Sequence, residues 1–384
     1  LTLNLKDFSV ATTQYWAPKI DTRISKCSQA EMEEAFSDLL TDSVRIRMRS
    51  DVPVGSCLSG GLDSSSIVGL IQEKMEAPAA YAAFTGRFQG TPSDEWEWAK
   101  EVVGKYGITS HVTHPDVDGF LAALPDFLWH NELPVGSTSQ FAQWCVFRLA
   151  KERGVTVLLD GQGADETLGG YHYFFGYYFK ELLKKISIGK LTNEALEYFK
   201  NHNSTYALKA MAFLFLPKKV QIKSQINRRG YINKEFASKF SHASMIPKSL
   251  YDIDSLHDSL LSHFEYKLEH LLKWEDKNSM FFSLESRVPF LDYRLVHKTL
   301  SLPSSNMIEK GITKKILRDS MSGIVPEKIR MRKDKVGFES PEASWFRDPS
   351  FSKFILDIFN SESFKSRKII KSKSAKSIFN KHLN

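Results

Sequence analysis

Residues 59–65 read SGGLDSS, and this stretch decides the fold of the chain around it. It follows a short apolar strand candidate at 52–58 and leads at once into a helical pattern near Ser66. Glycine lets the backbone approach a ligand closely, and the free N–H groups at the start of a helix attract anions. The pattern therefore predicts an anion-binding loop. The glycine–lysine–serine/threonine ending of the Walker loop is missing from it.

An acidic residue, Asp63, lies inside this predicted loop. Its carboxylate would repel a phosphate unless a divalent cation lay between the two groups. Mg²⁺ suits that position because it favours carboxylate, water and phosphate oxygens together. The alternative is an ordinary glycine–serine turn between two elements, which the complete seven-residue pattern disfavours.

Strand and helix patterns alternate on both sides of the loop. Helices are predicted at about 28–48, 64–75, 94–106, 117–130 and 139–153. Strands are predicted at about 54–58, 81–85, 111–113 and 155–159. This alternation predicts an α/β fold with a parallel sheet and helices on both faces. From about residue 172 onward helical periods dominate.

Three further segments contain residues suited to a ligand site. They are LLDGQGADETLGGY at 158–171, LESRVPFLD at 284–292 and KDKVGF at 333–338. The first follows a β-branched run and so lies at the end of a predicted strand. Ligands bind at the C-terminal ends of strands in open α/β sheets. We therefore expect Asp165 to face Asp63 across one crevice and to share its cation.

Together, the four segments resemble in order and spacing the synthetase half of the glutamine-dependent asparagine synthetases. This family belongs to the ATP pyrophosphatases (PP-loop enzymes), which cleave ATP between its α- and β-phosphates. Trp16 and the sequence ELP at 132–134 extend the resemblance, which runs from about residue 12 to about residue 345. It implies an adenine nucleotide α-hydrolase-like fold followed by a mainly helical C-terminal part.

The resemblance also implies roles for individual residues, with ATP and Mg²⁺ as cofactors. The pyrophosphate of ATP would be held by Ser59, Gly60, Gly61, Ser64 and Ser65, and its nucleoside part by Leu58, Thr85, Asp160 and Gly161. Asp63 and Asp165 would bind Mg²⁺ and act in catalysis, and Lys335 would stabilise the reacting acyl centre. The structural alternatives are a helix N-cap for Asp165 and a solvated surface charge for Lys335.

The implied reaction activates a carboxylate, with aspartate as the first candidate, by attack on the α-phosphorus of ATP. Pyrophosphate leaves, and ammonia derived from glutamine converts the acyl-adenylate into an amide and AMP. A glutaminase domain, in cis or in trans, would supply the ammonia. The expected enzyme is thus an AMP-forming carbon–nitrogen ligase of the asparagine synthase (glutamine-hydrolysing) type.

One departure from the family pattern keeps other substrates open. The family usually has glutamate where this chain has Gln162, and an amide cannot titrate. Glu166 and Glu132 are nearby carboxylates that could take over. A related amidotransferase or lactam-forming cyclase acting on a sugar acid or peptide stays an alternative. So does a non-catalytic nucleotide-binding module.

The resemblance and the composition divide the chain into four segments. Residues 1–26 are interpreted as a linker from a missing N-terminal glutaminase domain, since the chain begins with Leu1 and not with Met. An ATP-pyrophosphatase α/β domain is assigned to 27–176 and a helical part to 177–364. The tail 365–384 has seven basic residues and no acidic residue, against a net charge of +7 for the whole chain. The remainder is near neutral, so nucleic-acid binding is not implied.

The composition places further bounds on function. The chain has 384 residues, 42% of them apolar, which is enough for a real core. Its apolar runs fall short of the ~20 residues that span a membrane, and no secretory signal is visible. The three cysteines lack metal-site spacing, which is typical of a reducing cytosol. We therefore predict a cytoplasmic location and no membrane contact, with homodimerisation left open.

Overall fold

The structure is a computed structural model that describes residues 1–18, 20–21, 24, 27–241, 247–334, 337 and 339–383. Strands in this part are β1 (Thr2–Leu3), β2 (Val10–Ala11), β3 (Val54–Cys57), β4 (Ala82–Gly86), β5 (Thr109–Thr113), β6 (Val157–Leu159), β7 (Glu285–Arg287), β8 (Ile308–Glu309) and β9 (Ile312–Thr313). Strands β3 to β7 form one parallel sheet in the order β5-β4-β3-β6-β7. The predicted parallel sheet is therefore confirmed.

The strand order reverses between β3 and β6. From β3 the chain adds β4 and then β5 on one side, and β6 pairs with the opposite side of β3. Gly55 of β3 lies opposite Ala82 on one neighbour and Leu158 on the other. Such a reversal opens a crevice at the carboxyl ends of the two central strands. The segments that follow β3 and β6 therefore meet at one place.

Helices surround this sheet and build most of the C-terminal half. Those of the first half are α1 (Gln29–Arg47), α2 (Leu62–Lys74), α3 (Trp96–Tyr106), α4 (Val117–Asn131), α5 (Ser139–Glu152) and α6 (Ala164–Leu168). They are followed by α7 (Phe174–Lys184), α8 (Ile188–His202), α9 (Tyr206–Leu214), α10 (Lys218–Arg228), α11 (Lys234–Phe240), α12 (Leu256–Tyr266) and α13 (Leu268–Phe281). The last are α14 (Tyr293–Ser301), α15 (Ser304–Met307), α16 (Lys315–Ser320), α17 (Glu327–Arg330), α18 (Glu342–Trp345), α19 (Pro349–Asn360), α20 (Glu362–Lys365) and α21 (Ser372–Leu383). The described residues also include a π-helical turn (Pro247–Tyr251) and a 3₁₀ turn (Pro289–Leu291). None of the described helices is both long and apolar enough to cross a membrane.

Helix α1 shows how local sequence fixes an element beside the sheet. Ser28 accepts a hydrogen bond from the Glu31 N–H, and the Glu31 carboxylate accepts one from the Ser28 N–H, so the two residues form a capping box. Its apolar residues at helical spacing are buried, and Phe36 and Leu40 are fully enclosed. Each such side chain contributes about 1.5–3 kcal/mol by leaving water.

Strand β7 is a strand of the parallel sheet that the sequence patterns did not predict. Its three residues carry no apolar alternation, and it is held in the sheet by backbone pairing of Leu158 with Ser286 and of Leu159 with Arg287. The backbone N–H of Asp160 also donates to the Arg287 carbonyl at 2.9 Å. A segment from the C-terminal half thus completes the sheet beside β6. The division of the chain at residue 176 stays a prediction.

A cluster of ion pairs braces the turn that follows β7. Asp292 begins α14 and accepts hydrogen bonds from the Arg294 N–H and guanidinium at 3.0 Å. Arg47 of α1 donates to Asp292 Oδ2 at 3.1 Å. Burial opposes ionisation, yet the bonds from Arg294 and Arg47 prevail and lower the pKa of Asp292 to about 2. This carboxylate ties α14 to the helix that precedes the sheet.

We expect Asp292→Asn to lower the free energy of unfolding by about 1–2 kcal/mol at neutral pH. Asparagine is also a good N-cap, so the change isolates the charge. A lowered pKa stabilises the fold above the unfolded value of 3.8, and that stability is lost as pH falls toward about 2. Urea unfolding of both proteins between neutral pH and about pH 2 should show their difference shrinking over that acidic window. The control Asp126→Asn, on the exposed face of α4, should show no such trend. If the difference in the free energy of unfolding between the two proteins stays constant with pH, the stabilising role of the Asp292 charge is contradicted.

Candidate active site

The loop after β3 is organised by its own serines. The Ser59 N–H donates to Ser64 Oγ at 3.2 Å, and the Gly61 N–H donates to Ser59 Oγ at 3.2 Å. Gly61 caps α2 without any side-chain hydrogen bond. The N–H groups of the first turn of α2 are thus not satisfied by a capping side chain. Such N–H groups suit an anion, and the anion-binding role of this loop stays a prediction.

Gly60 shows why the loop needs glycine. Its φ of +73° lies in the left-handed region, and a Cβ there would lie 2.3 Å from the Ala99 nitrogen and 2.6 Å from the Trp98 backbone. Any side chain would therefore be strained and would also collide with the start of α3. The close approach fixes the loop against α3.

Asp63 and Asp165 meet at the point where the strand order reverses. Asp63 lies in the first turn of α2 and Asp165 in α6, and both contact the ammonium of Lys314. The Lys314 Nζ lies 2.7 Å from both Asp63 oxygens and 2.5 Å from Asp165 Oδ1. The side chains of Lys314 and Asp63 are only 4% and 7% exposed. One cation thus lies between two carboxylates that are far apart in the sequence.

Two glycines allow this close packing. A Cβ on Gly161 would lie 3.0 Å from the Cβ of Asp63. A Cβ on Gly170 would lie 1.9 Å from Asp165 Oδ1 and 2.4 Å from the Cε of Lys314. The glycine-rich sequence after β6 therefore leaves room for the three charged side chains.

Two cavities adjoin the aspartates. The first, here called the loop cavity, has a volume of about 400 Å³ and is lined by Ser59, Asp63, Ser64, Asp160, Gly161, Gln162 and Asp165 together with Ser137, Ser139, Gln140, Gln143, Leu271, Trp274, Gly337 and Glu339. The second, here called the basic cavity, has a volume of about 650 Å³, and its charged lining residues are Lys314, Arg318, Arg332, Lys333, Asp165 and Asp334. Asp165 lines both, so the ion pair with Lys314 stands between them.

Sequence comparison identifies the family. The family profile described as asparagine synthase matches residues 35–384. The chain belongs to the asparagine synthase family.

Individual relatives agree with this family assignment. The glutamine-hydrolyzing asparagine synthetase 1 of Bacillus subtilis (strain 168) is 32% identical over 330 residues, which cover 81% of this chain and 50% of that protein. A putative glutamine-hydrolyzing asparagine synthetase of Mycobacterium tuberculosis (strain ATCC 25618 / H37Rv) is 28% identical and covers 87% of this chain and 52% of that protein. The amidase chry2 of Gibberella zeae (strain ATCC MYA-4620 / CBS 123657 / FGSC 9075 / NRRL 31084 / PH-1) is 23% identical. The match covers 88% of this chain and 57% of that protein. The chain therefore spans about half the length of the curated relatives it matches. Family membership supports a ligase-type enzyme that uses ATP.

The donor set of this asparagine synthase family site fits a magnesium ion. The described residues contain no cluster of three or more His, Cys, Asp or Glu side chains that could hold a metal on protein ligands alone. Mg²⁺ is usually held by only one or two carboxylates, with waters and substrate phosphates as the other ligands. Asp63 and Asp165 supply such a pair, beside the anion-binding end of α2. Asp165 is preceded by the N-cap Gly163, so the alternative of an N-cap role for Asp165 is wrong.

Asp160 lines the loop cavity, and its carboxyl group interacts with that of the buried Glu275. Burial raises the pKa of Asp160. Burial and then the Asp160 carboxylate raise the pKa of Glu275 well above its ordinary value. Ser286 donates to one Glu275 oxygen, and the other has no hydrogen-bond partner among the described residues. The raised pKa values mean that these two carboxyl groups accept a proton more readily than they would in water.

The remaining predicted residues occupy different places. Leu58 lines a small recess of about 110 Å³ beside the loop cavity, and Thr85 is buried and donates to the Leu58 carbonyl at 2.6 Å. Ser65 is fully buried, and its hydroxyl has no hydrogen-bond partner among the described residues. Lys335 lies outside the described residues. The functional roles of all these residues stay predictions.

The two carboxylates that were considered as replacements for the family glutamate do not line the loop cavity. Glu132 is exposed and pairs with Lys277 at 2.7 Å. Glu166 is buried and accepts a hydrogen bond from the Tyr171 hydroxyl at 2.7 Å. Gln162 itself lines the cavity, as does Glu339, which the sequence patterns did not indicate. Lys314 was also missed, because it lies 251 positions from Asp63 and no local pattern sets it apart.

Proposed function

We propose that this chain is the synthetase part of an asparagine synthetase-type ligase. It activates a carboxylate, with aspartate as the first candidate, by adenylation with ATP, and pyrophosphate is released. Ammonia derived from glutamine by a glutaminase domain, in cis or in trans, then forms the amide and AMP. A cytoplasmic location belongs to the same proposal.

The observation that carries the proposal is the meeting of Asp63 and Asp165 around one cation beside the SGGLDSS loop. Their oxygens lie 2.7 and 2.5 Å from a single nitrogen, so the pair can share one ion. The start of α2 and the hydroxyls of Ser59 and Ser64 adjoin the same cavity. This arrangement suits a triphosphate that carries a divalent ion.

The residues of the chain would divide the work of the reaction. Asp63 and Asp165 would hold Mg²⁺, which when bound neutralises charge that develops on the departing pyrophosphate. The loop N–H groups and serine hydroxyls would orient the phosphates. Because the site is largely buried, these fixed dipoles act more strongly than they would in water. Ordering the phosphates in this way directs attack to the α-phosphorus.

The acceptor is proposed to enter on the Gln162 side of the loop cavity. Gln162 lines this cavity together with Trp274, Glu339, Ser137 and Ser139. The volume of about 400 Å³ favours a small acceptor such as aspartate. Gln162 supports a second candidate, a related amidotransferase or lactam-forming cyclase with another carboxylate, because its amide cannot accept the proton of an attacking amine. A relative named as an amidase agrees with this breadth.

ATP–pyrophosphate exchange across a panel of acids tests the proposal without any nitrogen donor. We expect Mg²⁺-dependent exchange with aspartate that exceeds the exchange with glutamate, sugar acids and acidic peptides by at least about tenfold. Strong exchange with a different acid and none with aspartate would favour the second candidate. ATP binding with no exchange for any acid would overturn the enzymatic proposal and favour the non-catalytic module.

A further inference from the structure

Lys314 holds the position that the proposed function gives to Mg²⁺. Its ammonium is within hydrogen-bond distance of both oxygens of Asp63 and of Asp165 Oδ1. The exposed fractions of the three side chains are 4% for Lys314, 7% for Asp63 and 27% for Asp165. Carboxylates buried to this extent require a counter-charge close by. Within the structure that charge comes from a lysine.

The backbone around Lys314 directs the ammonium to this place. Lys314 adopts a left-handed conformation with φ 55° and ψ 36° at the start of α16. A non-glycine residue rarely adopts this conformation, and it is strained where the surrounding packing imposes it. Gly170 leaves space for the lysine stem, since a Cβ there would lie 2.4 Å from its Cε. The backbone of Lys314 is thus strained, and the absence of a side chain at Gly170 leaves room for the lysine stem.

We infer that Lys314 is a resident counter-ion that keeps a divalent metal out of the Asp63–Asp165 pair until nucleotide arrives. The inference rests on the proposed function, because it concerns the same two carboxylates. An ammonium and a divalent ion cannot both occupy the space between them. A metal that arrives alone must displace the lysine without any phosphate to receive it. A metal that arrives with a triphosphate supplies both its own charge for the aspartates and an anion for the ammonium.

The basic cavity provides space for the Lys314 ammonium after a metal ion displaces it from the aspartates. Lys314 and Asp165 both line this cavity, whereas Asp63 lines only the loop cavity, so a rotation of the lysine stem away from Asp63 would move the ammonium into the basic cavity. The cavity is also lined by the Arg318 guanidinium, which donates to the Thr313 carbonyl. Several positive groups there favour the anionic part of a bound nucleotide. The lysine would therefore stay paired after it leaves the aspartates.

Binding of Mn²⁺ alone, measured by calorimetry and electron paramagnetic resonance, tests the inference without turnover. Wild-type protein without nucleotide should bind Mn²⁺ weakly. Lys314→Met should bind one Mn²⁺ at least about tenfold more tightly, because the competing ammonium is gone. Lys314→Arg, which keeps the charge, should remain weak. The matched control Lys315→Met alters the next residue, which pairs with Glu309 and Asp319, and should behave as wild type.

Further variants test the inference even if Lys314→Met folds poorly. Lys314→Gln keeps an amide donor toward the carboxylates and carries the same expectation of tighter Mn²⁺ binding. Adding Asp63→Asn to either variant should abolish the gain in affinity. Unchanged nucleotide-free Mn²⁺ affinity in a folded Lys314→Gln protein would overturn the inference.

Mn²⁺ binding in the presence of a non-hydrolysable ATP analogue separates this inference from the proposed function. Wild-type protein should then bind one further Mn²⁺, and Asp63→Asn should lose it. If that nucleotide-dependent ion is absent, the metal role in the proposed function fails. If it is present while removal of Lys314 changes nothing, only the counter-ion inference fails.

Discussion

Replacing Asp63 with asparagine should lower carboxylate-dependent release of pyrophosphate by at least about 10³-fold. The amide keeps the shape of the side chain and removes the charge that would hold the metal beside the phosphates. Lys314 would retain Asp165 as its partner, so the fold should survive. The measurement is coupled detection of pyrophosphate, with the best acid from the exchange panel as substrate. Asp63→Ala should be equally inactive.

The control for this prediction is Asp38→Asn, an acidic residue on the exposed side of α1. It makes the same change of charge away from the site and should leave pyrophosphate release unchanged. Near-ultraviolet circular dichroism should show that both variants are folded. Full activity of a folded Asp63→Asn protein would remove the metal role of this residue.

Gly170→Ala should separate activity from stability. The new methyl group would lie 1.9 Å from Asp165 Oδ1 and 2.4 Å from Lys314 Cε. Both neighbours are side-chain atoms that can move, so the fold can accommodate the change while the two charged groups are displaced. A displacement of about 1 Å in a positioned site can cost about 100-fold in rate. We expect a loss of at least that size in pyrophosphate release, with a small change in melting temperature.

Gly104→Ala is the matched control for Gly170→Ala. Gly104 lies within α3, and a Cβ there would meet no atom within 4 Å. Alanine is the better helix former, so this variant should gain up to about 1 kcal/mol of stability and keep its activity. Wild-type activity of Gly170→Ala would show that the position of the aspartates tolerates a shift, and would weaken the proposed role of the pair.

Sequence patterns predict those parts of the fold that depend on residues close together in the chain. The SGGLDSS loop, the capping box at Ser28 and the alternation of strands and helices all rest on residues close together in the chain, and the structure contains each of them. The rule that ligands gather at the carboxyl ends of parallel strands also indicated that Asp63 and Asp165 would face each other. Periodicity and strand-end chemistry therefore predict well when the interacting groups follow consecutive elements.

Local sequence patterns could not identify residues whose contacts lie far away along the chain. Lys314 is one of 52 lysine and arginine residues, and only the three-dimensional path of the chain brings it to Asp63. The same holds for Glu275, whose burial behind Asp160 has no signature in its neighbours. Strand β7 was missed because its pairing depends on backbone hydrogen bonds to β6 and not on its side chains. Residues of this kind require tertiary packing before they can be recognised.

The position of β7 far from β6 in the sequence affects how the chain folds. The chain passes through α6 to α13 after β6 before Glu285–Arg287 returns to pair with it. Such a connection gives a high contact order, because a long loop must close, at a cost in entropy, before β7 can pair with β6. A fragment that ends before this return would expose an unpaired edge and tend to aggregate. We therefore expect the first half of the chain to need the β7 segment in order to fold without aggregation.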